Sequence, residues 1–353
     1  MVAAPECVTV CFETQTPLYT GGIGQMGDAL YPSNLLGGLR HFSTMLANSL
    51  GVAGFEDRVW GNAKREDRLA HAKGVALHWD FSQMTKISLP AKIEVPKSDA
   101  TQKNPSRWWF NTAYAGRFSL TLTRRALSDF DWQLVRMAVA IQTRKAMWGS
   151  KDQFGLGVVA FVDEPQAIAT LVEPLKPTDV KGKTLADAQR LNLLRCAFAT
   201  VQFQSAERTG ARGRQLPWRT ALALGLAVRA TLRDALRSKE REKEKELKPL
   251  RHQMLGKLNE FGSAVNVSAA YGNPQQPEVR IMVVLKPESP EARSNILKGF
   301  NAALQQQLGE RLAAMPELNH YRLKTATWDY GGKYLKTSET KTEWLNQLAG
   351  VTP

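Results

Sequence analysis

Cysteine is scarce in this chain. Cys7, Cys11 and Cys196 are the three present in 353 residues, too few and too scattered for a disulfide framework or a zinc site. Cys7 and Cys11 are four apart, which places them on one side of a strand, and they read as buried, reduced thiols. The five histidines, His41, His71, His78, His252 and His320, are dispersed. No His-x-x-x-His, Cys-x-x-Cys or Gly-x-x-x-x-Gly-Lys pattern occurs, so zinc-hydrolase and P-loop chemistry lack support. No run approaches the roughly eighteen consecutive apolar residues of a membrane helix. The N-terminus also lacks a basic region followed by an apolar one. The expectation is a cytoplasmic protein with no membrane segment, no metal and no cofactor.

Positive charge, by contrast, is abundant. The formal net charge is +14, which points to a polyanionic partner, nucleic acid being the commonest. The excess is concentrated: residues 207–260 carry 14 Lys and Arg against 7 Asp and Glu, half of the net charge. Within that segment Arg208, Arg212 and Arg214 alternate with small residues, including Gly210 and Gly213. Guanidinium groups so spaced can approach phosphates closely and form bidentate bonds with them. On the helix that follows Pro217, the helical period brings Arg219, Arg229, Arg233 and Arg237 to one side. Either a solvated face or an RNA-facing one fits that side. The alternating charges from Ser238 to Lys248 read as a solvated helical insertion.

The opening stretch has a distinct order. A run rich in β-branched and aromatic residues from Val8 reads as a strand. Gly21, Gly22, Gly24 and Gly27 follow within seven residues. Pro32 then opens a helix whose apolar period runs through Leu35, Leu39, Phe42 and Leu46. Strand, glycine loop and helix can hold a phosphate at the helix N-terminus, or can be an ordinary connection. Gly37 and Gly38 each cost about 1 kcal/mol against Ala inside a helix, which suggests that something approaches that helix surface.

At these residues the chain resembles the RAMP proteins of CRISPR effector complexes. The resemblance lies in Thr16-Pro17-Leu18-Tyr19-Thr20-Gly21-Gly22 and Pro32-Ser33-Asn34-Leu35-Leu36-Gly37-Gly38-Leu39-Arg40. It is most like the large two-domain subunit of the Cmr (type III-B) complex. The family usually has a second Ser where Asn34 stands and often a basic residue where Leu36 stands. The resemblance implies RNA contacts from Thr20, Gly21, Gly22, Gln25, Ser33, Asn34, Gly37 and Arg40. It implies more from a glycine-rich loop after the second helix, here Gly149, Lys151, Gly155 and Gly157. The partners implied are guide RNA, target RNA and other type III effector subunits, with this chain near the 3′ end of the guide. An Asp in the loop after the first strand supports metal-dependent RNA cleavage in other RAMP subunits. Asp28 and, more weakly, His41 are therefore the candidates for a ribonuclease. The expected role is non-catalytic, with that ribonuclease or a generic RNA-binding protein as the alternatives.

Element order along the first half reads β-α-β-β-α-β, with an exposed excursion around Pro90, Pro96 and Pro105. A faint repeat follows: Phe12-Glu-Thr-Gln-Thr echoes Phe198-Ala-Thr-Val-Gln, and Pro32 echoes Pro217 at almost the same offset. The expected fold class is α+β, two tandem ferredoxin-like (RRM-like) domains with insertions. The expected boundaries are 1–165, a linker at 166–190, and 191–353. Trp328 to Tyr334, with Tyr330 and Lys333, is placed as the second half's counterpart of the glycine loop, suited to stacking on nucleotides. The tail after Lys336 reads as polar and peripheral.

Overall fold

The computed structural model describes residues 6–21, 29–62, 72–89, 92–94, 106–108, 112–149, 155–180, 191–206, 216–238, 240–256, 263–287, 289–334 and 337–351. Gly22, Gln25, Asp28, Lys151, Arg208, Arg212 and Arg214 lie outside the described residues.

The first half contains β1 (Cys7–Thr14), α1 (Pro32–Ser49), α2 (Phe55–Trp60), β2 (Val75–Asp80), β3 (Met84–Ser88), β4 (Lys92–Glu94), β5 (Ser106–Trp108), β6 (Thr112–Arg124), α3 (Asp129–Lys145) and β7 (Val159–Phe161). Its sheet runs β2-β6-β1-β7 with every pairing antiparallel, β3 also pairs with β6, and β4 and β5 form a separate small ribbon. This is the ferredoxin-like order, with the excursion inserted before the third strand of the motif. Alternation in β1 sends Val8, Val10 and Phe12 inward. Phe12 stacks on Phe118 of β6 at 5.0 Å and on Phe161 of β7 at 5.4 Å. That aromatic row beneath α1 and α3 is the centre of the first core.

Next come α4 (Glu164–Leu171) and α5 (Pro177–Val180). The second half contains β8 (Cys196–Ser205), α6 (Trp218–Asp234), α7 (Arg241–Leu255), β9 (Val265–Val267), β10 (Tyr271–Asn273), β11 (Gln276–Val284), α8 (Pro290–Ala313), β12 (Tyr321–Tyr330) and α9 (Ser338–Ala349). Its sheet, β10-β11-β8-β12 with β9 on β11, repeats the same strand order. The chain is two ferredoxin-like units, as its repeat implies. The second core lies between that sheet and helices α6 and α8.

Several features depart from the sequence reading. Cys7 and Cys11 do share one side of β1, but it is the solvent side, and both are exposed; Cys196 is buried. Burial pushes the Cys196 thiol pKa well above its ordinary value. Inside the segment expected to be a linker, α4 places Ala167, Ile168 and Leu171 in the first core. The tail after Lys336 is not peripheral, since α9 puts Trp344, Leu345, Leu348 and Ala349 into that same core. The outer face of the second sheet joins it through Cys196, Phe198 and Met282. Two arginines lock this junction by capping helix C-termini. Arg280 donates from Nη1 to Thr143 O and Ala146 O, both at 2.8 Å, closing α3. Arg144 donates to Gln347 O at 3.1 Å and Leu348 O at 2.7 Å, closing α9.

Among the described residues no helix is long and apolar enough to cross a membrane. No group of three or more His, Cys, Asp or Glu residues gathers there as metal ligands would.

Candidate nucleic-acid interface

RNA-reading sheets present aromatic side chains on their open face, and the first sheet does not. Its solvent side carries Cys7, Thr9, Cys11 and Glu13 on β1, opposite Thr123, Thr121, Ser119 and Arg117 on β6. In the second sheet the comparable face is partly covered by the first core. The loops are left as the interface.

The described flanks of those loops meet in one small cluster. Tyr19 follows β1, Leu89 follows β3, Ala113 opens β6, Leu156 precedes β7, and Trp218 opens α6; together with Ile87 they pack as one group. The segments around Gly22 and Gln25, around Lys151, and around Arg212 and Arg214 each begin or end within a few residues of it. Trp218 Nε1 is buried there with no hydrogen-bond acceptor.

Thr20 and Asn34 tie the ends of the opening glycine loop together. The Thr20 hydroxyl accepts from Tyr31 N at 2.7 Å, and the Thr20 carbonyl accepts from Asn34 Nδ2. Ser33 is exposed in the first turn of α1. The N-cap of α1, Tyr31, makes no side-chain cap bond, and its first turn holds no acidic residue. The same is true of α6, whose N-cap is Pro217 and which carries Arg219 in its first turn. Every other helix of eight or more residues has an acidic residue in its first turn. So, among the described helices of eight or more residues, the two that follow the glycine and basic segments are the ones with no acidic residue in the first turn to offset the positive end of the dipole.

The glycines after α3 are required by the chain itself. Gly149, Gly155 and Gly157 all have positive φ, at 92°, 91° and 88°. A Cβ at Gly157 would sit 1.8 Å from Trp148 O, and one at Gly155 2.5 Å from Ala269 N. Gly157 N donates to Pro17 O at 2.9 Å, and Ala269 N donates to Gly155 O at 3.0 Å. The loop is thereby laced to the opening segment on one side and to the second unit on the other. The tight-turn reading of these glycines accounts for their positions. Gly37 is different: a Cβ there would meet nothing within 4 Å.

Other predicted residues are already engaged or lie elsewhere. Arg40 pairs with Glu56 at 2.7 Å, both about half exposed, so the pair adds little stability. His41 is exposed beside a crevice of about 470 Å³ lined also by Thr44, Asn48, Glu56 and Asp57. Arg229 turns inward to Val265 O and Ser263 Oγ, and Arg237 pairs with Asp234. Of these helix arginines, Arg219 and Arg233 have no hydrogen bond or ion pair from the guanidinium to another described residue.

The Tyr330 segment needs a correction. It forms the end of the last strand of its unit and the turn after it, whereas the glycine loop of the first unit precedes the last strand, so the two are not counterparts. Tyr330 pairs with Ala197 at the start of β8, while β8 enters the basic segment from its other end. At about 3.3 Å per residue, most of a ten-residue strand separates them. The Tyr330 hydroxyl accepts from Arg293 Nε at 3.0 Å. Gly331 leaves room for the Trp344 ring, which a Cβ would approach to 2.4 Å. Lys333 is exposed.

The arrangement defines a two-unit ferredoxin-like protein in which described residues flanking the glycine and basic segments meet in one cluster. No protein-family model matches the chain, and neither does any curated protein. Solved structures do resemble it. One is Cmr1 from Pyrococcus furiosus in its apo form, with 13% identity and a TM-score of 0.41, covering 93% of this chain and 99% of that one. Another is a chain of the type III-B Cmr-beta assembly bound to cognate target RNA and AMPPnP. It has 9% identity and a TM-score of 0.46, covering 85% of this chain and 100% of that one. Cmr6 from Pyrococcus furiosus matches 45% of this chain over its whole length, with 14% identity and a TM-score of 0.23.

Proposed function

We propose that this chain is a non-catalytic, cytoplasmic RNA-binding subunit of a type III CRISPR ribonucleoprotein, and that it holds RNA on the loop cluster around Tyr19, Leu156 and Trp218. The meeting in that cluster of described residues flanking the glycine and basic segments carries the reading. The RAMP-like motifs at Thr16–Gly22 and Pro32–Arg40 supply the CRISPR context: guide and target RNA as ligands, other effector subunits as neighbours, and a position near the guide's 3′ end. Thr20 and Asn34 act by closing the glycine loop. The N-termini of α1 and α6 receive backbone phosphates, and the arginines supply non-specific affinity.

The mode of binding is tested by a salt titration. Phosphate contacts to a single strand release counterions, and log K falls with log salt by about 0.7 per contact. Arg212→Ala with Arg214→Ala should flatten the slope by about one to one and a half units, equally on two unrelated RNA sequences. A change of sequence preference with an unaltered slope would mean that these arginines read bases.

Gly37 offers a second test. Ala is preferred to Gly by about 1 kcal/mol inside a helix, and space for the methyl group is open. Gly37→Ala should therefore raise the melting temperature slightly while weakening RNA binding several-fold. A raised melting temperature with intact binding would make this helix surface plain solvent.

A further inference from the structure

Away from the loop cluster, at the other end of α6, four arginines, from α6, α7, α8 and the turn after α6, crowd around two carboxylates. Asp234 takes Arg237 at 3.3 Å on one oxygen and Arg311 of α8 on the other. Glu244 of α7 takes Arg251 at 2.8 Å, and Arg251 also donates to Leu236 O at 2.9 Å. The Arg233 guanidinium makes no hydrogen bond or ion pair with another described residue. Arg251 and the Arg311 side chain are nearly buried, and Arg311 Nε is a buried donor with no acceptor.

Among the described residues the local balance is four guanidinium groups against two carboxylates, an excess of two positive charges. Partial desolvation, together with Arg237 and Arg251, lowers the Arg233 pKa below its ordinary value. The unused Arg311 Nε is a buried donor and so is costly to leave unmade, while Arg233 is exposed and open to an incoming anion. The negative end of the α6 dipole offsets some of the repulsion among the arginines, but it supplies no acceptor for Arg233 or for Arg311 Nε.

We propose that the guanidinium cluster at the C-terminal end of α6 is a phosphate-binding site, separate from the loop cluster. A phosphate group fits better than a further carboxylate. It brings at least three acceptor oxygens, suits the guanidinium fork, and can balance the excess charge. The phosphate is either a backbone phosphodiester of bound RNA or a free phosphate ion.

The test uses the full chain and Arg233→Gln. In the wild type, inorganic phosphate exchanged for chloride at constant ionic strength should raise the melting temperature by about 3–5 °C at ten times its Kd. Each protein is compared with itself in chloride, so any change in basal stability cancels. Arg233→Gln should lose the increment. A single-stranded RNA salt titration separates the sources. A slope flattened by about 0.7 in the variant identifies a phosphodiester, and an unchanged slope with the increment lost identifies a free ion. Equal phosphate increments in both proteins, or no increment in the wild type together with an unchanged RNA slope, would overturn the proposal.

Discussion

Trp344→Ala is expected to lower the melting temperature of the chain by on the order of 10 °C, although the residue lies near the end of the sequence. Its ring is fully buried and packs 6.4 Å from Phe198. Its Nε1 donates to Asp329 Oδ1 at 2.9 Å. Truncating a buried Trp costs about 3–5 kcal/mol through lost contacts and the cavity left behind, and each kcal/mol moves the midpoint of a large domain by about 2–4 °C. Asp329 also loses a partner. Calorimetry checks this directly. A shift below about 2 °C would mean that α9 merely leans on the core that it here completes.

The second large effect is expected at Arg280, where Arg280→Met should cost about 2–4 kcal/mol and loosen the two units from each other. Its guanidinium closes α3 through Thr143 O and Ala146 O and lies 5.6 Å from the Tyr271 ring centroid. Hydrogen bonds from charged groups contribute about 1.5–3 kcal/mol, and carbonyls stranded in an interface add to the loss. Arg280→Lys should recover only part of it, because an ammonium cannot reproduce the planar fork. In calorimetry one unfolding transition should become two in Arg280→Met. A single transition at an unchanged midpoint would show that the units are held by apolar packing alone.

The architecture was legible because it is written in local periods. Alternation in Val8–Phe12, the Leu35–Leu39–Phe42–Leu46 stripe and the Pro32/Pro217 echo all survive in the structure. What was missed depends on neighbours that no local pattern names. The α9 sequence Ser338–Ala349 is mostly polar, and its four buried apolar residues, Trp344, Leu345, Leu348 and Ala349, are too few to read as core until the distant first core is seen to receive them. Glycine content suggested that Tyr330–Lys333 matched the loop at 149–157, but strand order decides equivalence, and it separates them. A helical wheel put Arg229 beside Arg219 and Arg233, yet could not show Val265 O waiting for it. Of the candidate site, the sequence marked the segments, and the convergence on Tyr19, Leu156 and Trp218 emerged only from the packing.

The return of α9 to the first core also governs how the protein can be made. A ribosome adding about 5–20 residues per second completes β7 some 10–40 s before Trp344 exists. Through that interval the nascent first unit has its strands but not the helix that closes its interior, and its apolar surface stays open to chaperones or to other chains. Its final closure is a contact of high sequence separation, a class that slows folding. Early release of the polypeptide would therefore yield a sticky, protease-sensitive product, however complete its first unit looks as a string of residues.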